Sequence, residues 1–283
     1  MRALRGTKQL TLAGLLSTVR SKAALFWTLA FPIFLLVIFA FIFGGGDGDR
    51  VSYLLPGLWT ITVISASFFG LSMVMVQERE NGTFRRYRVT PVSPVAVVTS
   101  FAIVQLLTLA ASLLLQSLVA KLAFGITSQG SVLLVVLMLF LGCLAFVPLG
   151  LIVGSVARDM KIAPVLTNLI FFPMMFLSGA AVPFFFLPKA VQAVARLLPA
   201  TYLVESVQGV MVRGEGLAQL QAPVIVMLVT AAVGLALNGL LFRWESSQSI
   251  PRRNIALAVG GILAIYVVAA LVAPELRMAI QPK

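Results

Sequence analysis

Seven runs without a charged residue divide the sequence: Ala23–Phe43, Ser52–Gln77, Pro94–Ala120, Leu122–Ala157, Ile162–Pro188, Gly216–Phe242 and Ile255–Ala273. About 20 apolar residues carry an α-helix across the hydrocarbon of a bilayer, so each run predicts a membrane span. The fourth is longer than one span needs. Its turn-forming stretch Gly125–Gly130 belongs to a loop, and the helix is expected to start near Ser131.

Composition leaves lipid as the solvent. Hydrophobic residues make up 60% of the 283 and charged residues 11%, about half the usual share for a soluble domain and too few for a polar shell. Inside lipid the backbone must satisfy its own hydrogen bonds, which favours helices. The alternating ten-residue segments of a membrane β-barrel are absent. The expected fold is an all-α membrane protein, a polytopic bundle. Lysine and arginine outnumber aspartate and glutamate by 21 to 9, but they fall in the short gaps between apolar runs. They do not gather on one soluble face as in a nucleic-acid-binding domain, and no nucleic-acid partner is expected. The single cysteine, Cys143, and the absence of histidine exclude an intramolecular disulfide and a Cys/His metal site. Leu10–Leu16 is too short for a signal sequence and is followed by Arg20 and Lys22, so no cleavable signal is expected.

Basic residues alternate in density along the chain. Fourteen of the 21 fall on the side that holds the N-terminus, the loop after span two, the loop after span four and the segment after span six. The positive-inside rule then places the N-terminus in the cytoplasm of a cell membrane and, with seven spans, the C-terminus outside. Three units follow: 1–22, 23–245 and 246–283. In the first, Leu12, Leu15, Leu16 and Val19 recur at helical spacing, flanked by Arg20 and Lys22. Such a pattern fits a helix lying along the inner membrane surface, or alternatively a basic tail.

Two segments carry more than connection. The loop 77–93 is too charged to enter lipid. Gly82-Thr83 reads as a helix start, with Thr83 as N-cap. Phe84 and Tyr87 lie on one face of a two-turn helix and are expected to face the cytosol beside several charges. Pro91 disfavours helix at Thr90, and Ser93-Pro94 restarts it with an N-cap serine and proline at the first helical position. The loop is either a docking element or an ordinary basic connector. The second segment, 177–216, is broken by Ser178-Gly179, Pro183, Pro188 and Pro199. It holds two short amphipathic helices, one from Pro188 to Leu198 with Val191, Val194 and Leu198 on its apolar face. The other carries Glu205 and Gln208 on its polar side. Breaks at membrane depth are tolerated against protein or a water-filled cavity, so the segment reads as a re-entrant external gate or as an interfacial loop.

The stretches Glu78-Arg-Glu-Asn-Gly-Thr…Arg-Tyr-Arg-Val-Thr-Pro-Val-Ser93 and Leu177-Ser-Gly…Val-Pro183…Leu-Pro188…Leu-Pro199-Ala-Thr-Tyr202 resemble two signature segments of the ABC-2 type permeases, the membrane subunits of ATP-binding-cassette exporters. The resemblance covers roughly residues 5–245. It implies six family-type spans in 23–245, here followed by an extra C-terminal helix. It implies a subunit that pairs with a second copy of itself or a homologous permease and docks onto a separate ATPase chain, which holds the ATP and magnesium. Carried onto this sequence, Glu78, Glu80, Gly82, Thr83, Phe84, Arg86, Tyr87, Thr90 and Pro91 would couple to that ATPase. Arg158, Asp159 and Lys161 would form a second cytoplasmic contact. Ser178, Gly179, Pro183, Pro188, Pro199 and Tyr202 would belong to the external gate. The family's path runs near spans one, two and five, which makes Asn168 either a lining residue or a partner in a helix–helix hydrogen bond. The family ordinarily ends after span six, near Arg243-Trp244-Glu245. The further run 255–273 departs from it, and its Ala256, Gly260 and Ala264 would allow close helix approach.

Other classes fit less well. The chain carries no Gly-x-x-x-x-Gly-Lys-Ser/Thr loop, so nucleotide hydrolysis is expected elsewhere and no cofactor is expected on this chain. Ser178-Gly179 lacks a histidine for a serine-protease dyad. Gly44-Gly45-Gly46-Asp47 matches Gly-x-Gly-Asp, but aspartyl chemistry needs two carboxylates sharing a site. Asp49 lies in the same turn and Asp159 is expected on the opposite side of the membrane. A passive channel remains the other alternative. Ion-coupled carriers hold ionisable groups within their spans, and these runs have none.

Overall fold

The computed structural model describes residues 6–20, 22–42, 45, 48–88, 93–241 and 250–272, and among these every regular element is helical. A surface helix, Thr7–Arg20, precedes the spans. Span one runs without a break through Lys22–Leu25, Phe26–Ala30 and Phe31–Ile42, the middle piece a π-helical turn. Span two is built the same way from Gly48–Ser65, the π-helical Ala66–Leu71 and Ser72–Glu80. After the short helix Thr83–Arg88 come span three, Pro94–Phe124, span four, Val132–Val156, and span five, Ile162–Leu177. A 3-10 turn at Phe184–Phe186 and helices Lys189–Ala195 and Pro199–Met211 lead to span six, Gln221–Leu241, and span seven, Arg252–Val272.

Five of these helices, in spans two, three, four, six and seven, are long and apolar enough to cross a membrane. Spans one and five are shorter apolar helices, Thr28–Ile42 and Ile162–Leu177. Span five stops at Leu177 because Ser178 ends it and Gly179 takes the left-handed φ of 89°. Its 16 residues make about 24 Å of helix, less than the roughly 30 Å of a bilayer core. The chain can leave helical structure there because Ser178, Gly179 and Ala180 are buried against protein. Gly57 of span two lies so close that a β-carbon there would stand 2.1 Å from the Ala180 carbonyl. Spans three and four start and stop where the turn chemistry places them. Ser93 accepts the Ala96 amide at 3.1 Å as N-cap, Gly125 ends span three at φ 63°, and Ser131 precedes the first helical residue of span four.

Span four is the central rod, buried along most of its length and packed on spans two, three, five and six and on Pro199–Met211. Without a hydrophobic force to pull helices together in lipid, small residues that let backbones touch carry the packing. Gly150 and Gly154 sit four apart on span four. β-Carbons there would lie 2.1 Å from the Ser67 carbonyl and 3.1 Å from Ser72 Cα of span two. On the span-six side, Gly234 approaches Pro148 closely, and the buried Asn238 amide donates to the Pro148 carbonyl at 2.9 Å. Spans one to three share a polar chain. Thr62 donates to Gln116 at 3.2 Å, Gln116 contacts Ser112 at 3.4 Å, and Ser112 donates to the Thr28 carbonyl at 2.7 Å.

The surface helix lies across span three, with Gly14 against Val104, and leaves Leu12, Leu16 and Val19 exposed. An apolar stripe beside a bilayer would be left open in this way. Span seven packs on span six through Ala258, Tyr266 and Ala269. The Tyr266 hydroxyl lies 2.7 Å from that of Thr230, and its ring is 5.9 Å from that of Tyr202. The stripe Ala256, Gly260 and Ala264 is exposed, and Gly260 has no neighbour within 4 Å of a β-carbon. The Tyr266 hydroxyl finds its partner in Thr230, so that face of span seven turns inward and the small residues face away. Residues 1–5, 89–92, 242–249 and 273–283 lie outside the described residues, as do Asp47 and the Arg243-Trp244-Glu245 segment.

Candidate functional site

At the N-terminal end of the bundle, span two runs past the apolar core as Gln77-Glu78-Arg79-Glu80 and stops at Asn81. Gly82, at φ 70°, allows the sharp reversal. The Arg86 amide donates to the Gly82 carbonyl at 3.1 Å, so Gly82 holds the N-cap position and Thr83 is the first helical residue. This corrects the expectation that Thr83 itself is the cap. The helix spans only Thr83–Arg88. Thr90 and Pro91 lie outside the described residues, and of Tyr87 only the backbone is described.

Phe84 overturns a second expectation. Its side chain is 0% exposed and meets Phe101 of span three edge-on, ring centroids 5.8 Å apart. It anchors the short helix to the bundle and presents nothing to the surroundings. A six-residue helix is far below the length that is stable alone, so burial of one aromatic holds it in place. Arg86 and Glu80 are exposed, and Glu78 and Thr83 are half-buried.

The fold brings the second predicted contact to the same place. The Glu80 carboxylate accepts the Met160 amide at 3.0 Å. Asp159 accepts the amides of Lys161 and Ile162, each at 2.9 Å, and so caps the start of span five. Arg158 and Lys161 are exposed. The loop after span two and the loop after span four therefore form one surface.

Arg79 lies beneath it and was read from the sequence only as one more basic residue at a span end. It is 3% exposed, and its guanidinium donates to the Gly154 carbonyl at 3.0 Å and to the Ala157 carbonyl. These are among the last carbonyls of span four, which lack intrahelical partners and carry the negative end of the helix dipole. A cation there stabilises by about 0.3–1 kcal/mol, and by about 2 kcal/mol where partly buried. The one sequence signal is its place, flanked by two glutamates, one turn before a positive-φ glycine.

At the opposite end the proline-punctuated segment is a packed unit. Pro183 precedes the 3-10 turn and Pro188 precedes Lys189–Ala195. Gln192 donates back to the carbonyls of Phe184 at 3.2 Å and Leu187 at 2.9 Å. Pro199 opens the next helix. Thr201 and Tyr202 then donate to the carbonyls of Ala195, at 2.6 Å, and Arg196, at 2.8 Å, which closes off the preceding helix. Val194 is exposed, and Ala195 is the buried residue of that helix.

Pro199–Met211 is buried at every residue. It is not an interfacial element; it is sunk into the bundle. Its polar residues are held internally. Arg213 reaches back 2.7 Å to the Glu205 carboxylate and 3.1 Å to Glu215. Tyr53 of span two lies beside Gln208 in the same cluster. Gly209 makes the return possible, because a β-carbon there would stand 2.6 Å from the Glu215 carboxylate. Sequence spacing placed Glu205 on a polar face but did not pair it with Arg213.

Asn168 is half-buried on span five, beside the buried Thr167. Thr167 is drawn into contact with span two. Its hydroxyl donates to the Phe68 carbonyl at 3.3 Å, in the π-helical turn that Ser72 also reaches. The amide that joins two spans through a backbone carbonyl is Asn238, which the sequence reading did not single out.

These features define a polytopic helical membrane protein with a short surface helix fastened between spans two and three at one end and a buried helix at the other. The chain belongs to the ABC-2 type transporter family, which it matches over residues 5–212. It is 30% identical over 160 residues to the inner membrane transport permease YhhJ of Escherichia coli, covering 55% of this chain and 41% of that protein. It is 25% identical over 189 residues to the probable multidrug ABC transporter permease YbhS of the same organism, covering 66% and 50%. It is 26% identical over 178 residues to ABC transporter G family member 20 of Dictyostelium discoideum, covering 62% and 24%. The chain thus matches half or less of the length of these relatives. No solved structure matches it.

Proposed function

We propose that this chain is a permease subunit of an ABC exporter. It works as a dimer and is driven by a separate cytoplasmic ATPase chain that binds the ATP and magnesium. The observation that carries this reading is the joining of two loops into one surface by the Glu80–Met160 hydrogen bond. Exposed Arg86, Glu80, Arg158 and Lys161 surround that bond. An ATPase docked there would bear on span two and span five together. Family membership and the similarity to proteins named as transport permeases support the same reading. The N-terminus is cytoplasmic and the surface helix lies on the inner leaflet, as the excess of basic residues at that end requires. The segment 178–202 with the buried helix that follows closes the outer end. The cargo is an amphiphile such as a drug, lipid or glycolipid, because the path that the family resemblance implies near spans one, two and five would run between charge-free segments.

Replacing Gly82-Thr83 or Arg86 is expected to uncouple ATP hydrolysis from export while leaving membrane insertion intact. Transport-stimulated hydrolysis at the normal rate in such a variant counts against the coupling role. Cargo movement by the purified chain with no nucleotide-hydrolysing companion overturns the whole reading.

A further inference from the structure

We propose that Arg79 is a positioning residue that fastens the 83–88 helix to span four, and that span four carries its displacement to the buried helix Pro199–Met211. The inference rests on the coupling reading above and adds the route inside the protein.

The route is continuous and stiff. Arg79 stands four residues before the short helix and holds the final carbonyls of span four through Gly154 and Ala157. From there span four runs against span two with backbone on backbone, through Gly154 at Ser72 and Gly150 at Ser67. At Gly150 all three nearest atoms are Ser67 backbone, so no flexible side chain there absorbs a small shift. Toward its start span four meets Pro199–Met211 through the Leu203 side chain. A β-carbon at Gly142 would lie 2.5 Å from Leu203 Cδ1. Just before span four, Gly130 abuts the Val210 carbonyl, and the Gln129 amide donates to the Met211 carbonyl at 3.0 Å. One helix therefore touches the docking end and the far gate, with buried guanidinium–carbonyl hydrogen bonds at the first and glycine contacts at the second. Packed elements of this kind transmit discrete rearrangements because they do not deform continuously.

The test uses a single-cysteine protein, with Cys143 replaced by alanine and the fully buried Val207 by cysteine. The chain is studied in membranes with the ATPase that co-purifies with it. Maleimide labelling of Val207→Cys is compared with and without ATP plus vanadate. In the parent, trapping nucleotide is expected to change the labelling rate. Arg79→Met is expected to shrink that change roughly 2- to 30-fold, the range for residues that carry coupling. It should leave ATPase co-purification and the hydrolysis rate in place, readouts that a misfolded bundle would lose. Arg79→Lys keeps a cation at the helix end and is expected to restore the change. A full response in Arg79→Met overturns the role of Arg79. So does joint loss of ATPase binding and folded protein that Arg79→Lys fails to rescue, unless Gly154→Ala, which pries spans two and four apart with the cap intact, folds and loses the response. A full response in Gly154→Ala overturns the route through span four. Absence of any nucleotide effect in the parent overturns the coupling reading itself.

Discussion

The Glu80 carboxylate and the Met160 amide, 80 residues apart in sequence, lie 3.0 Å apart in space. That bond decides whether the two loops act as one surface. Glu80→Ala is expected to leave thermal stability almost unchanged, since an ordinary hydrogen bond contributes roughly 0.5–1.5 kcal/mol and Glu80 is exposed. It should nevertheless weaken ATPase co-purification, measured by pull-down at increasing salt. Unaltered retention would remove the bond from the docking surface.

Phe84 is expected to behave as a core residue. Phe84→Ala should destabilise by about 3–5 kcal/mol, the usual loss for a buried aromatic. The short helix should then become accessible to protease in membrane vesicles. Phe84→Leu, which keeps most of the volume, should stay protected. Equal cleavage of the parent and Phe84→Ala would show that the Phe101 contact does not hold the helix.

The outer cluster makes an asymmetric prediction. Arg213→Ala takes the paired cation away from Glu205, 4% exposed, and breaking a buried pair in this way costs about 3–5 kcal/mol. Detergent-solubilised protein should lose its monodisperse peak on size-exclusion chromatography. Adding Glu205→Gln should recover much of that loss, because the remaining Glu215 is less deeply enclosed. A double variant as damaged as the single one would mean that the pairing is not the source of the effect.

Gly150 tests the packing of spans two and four. A β-carbon 2.1 Å from the Ser67 carbonyl cannot be accommodated without moving backbone, so Gly150→Val is expected to abolish folded protein. Gly260→Val, on the exposed face of span seven, is expected to express normally. Melting curves of the two variants check this directly. A Gly150→Val protein that melts like the parent would contradict the close approach.

Topology is open to a direct measurement. Alkaline phosphatase fused after Lys283 is expected to be active, which places the C-terminus outside. A fusion after Arg20 should be inactive. An inactive C-terminal fusion would mean that Arg252–Val272 does not cross the membrane.

Much was legible in the residues alone. Absence of charge over runs as long as a bilayer is thick dictates helices, because lipid supplies no partner for a stray backbone group. Ser93-Pro94, Gly125 and Ser178-Gly179 marked helix ends correctly, because capping is settled by neighbouring residues and needs no tertiary context. What the sequence could not show is which face of each helix turns inward. In an apolar chain every face is hydrophobic, so periodicity carries little information, and Phe84 was read to the wrong side. Tertiary structure decided such orientations through polar atoms and small residues that find partners far along the chain: Arg79 with Gly154, Asn238 with Pro148, Gly150 with Ser67. Each is a close contact between segments that the chain brings together only when it folds, and no local pattern announces it.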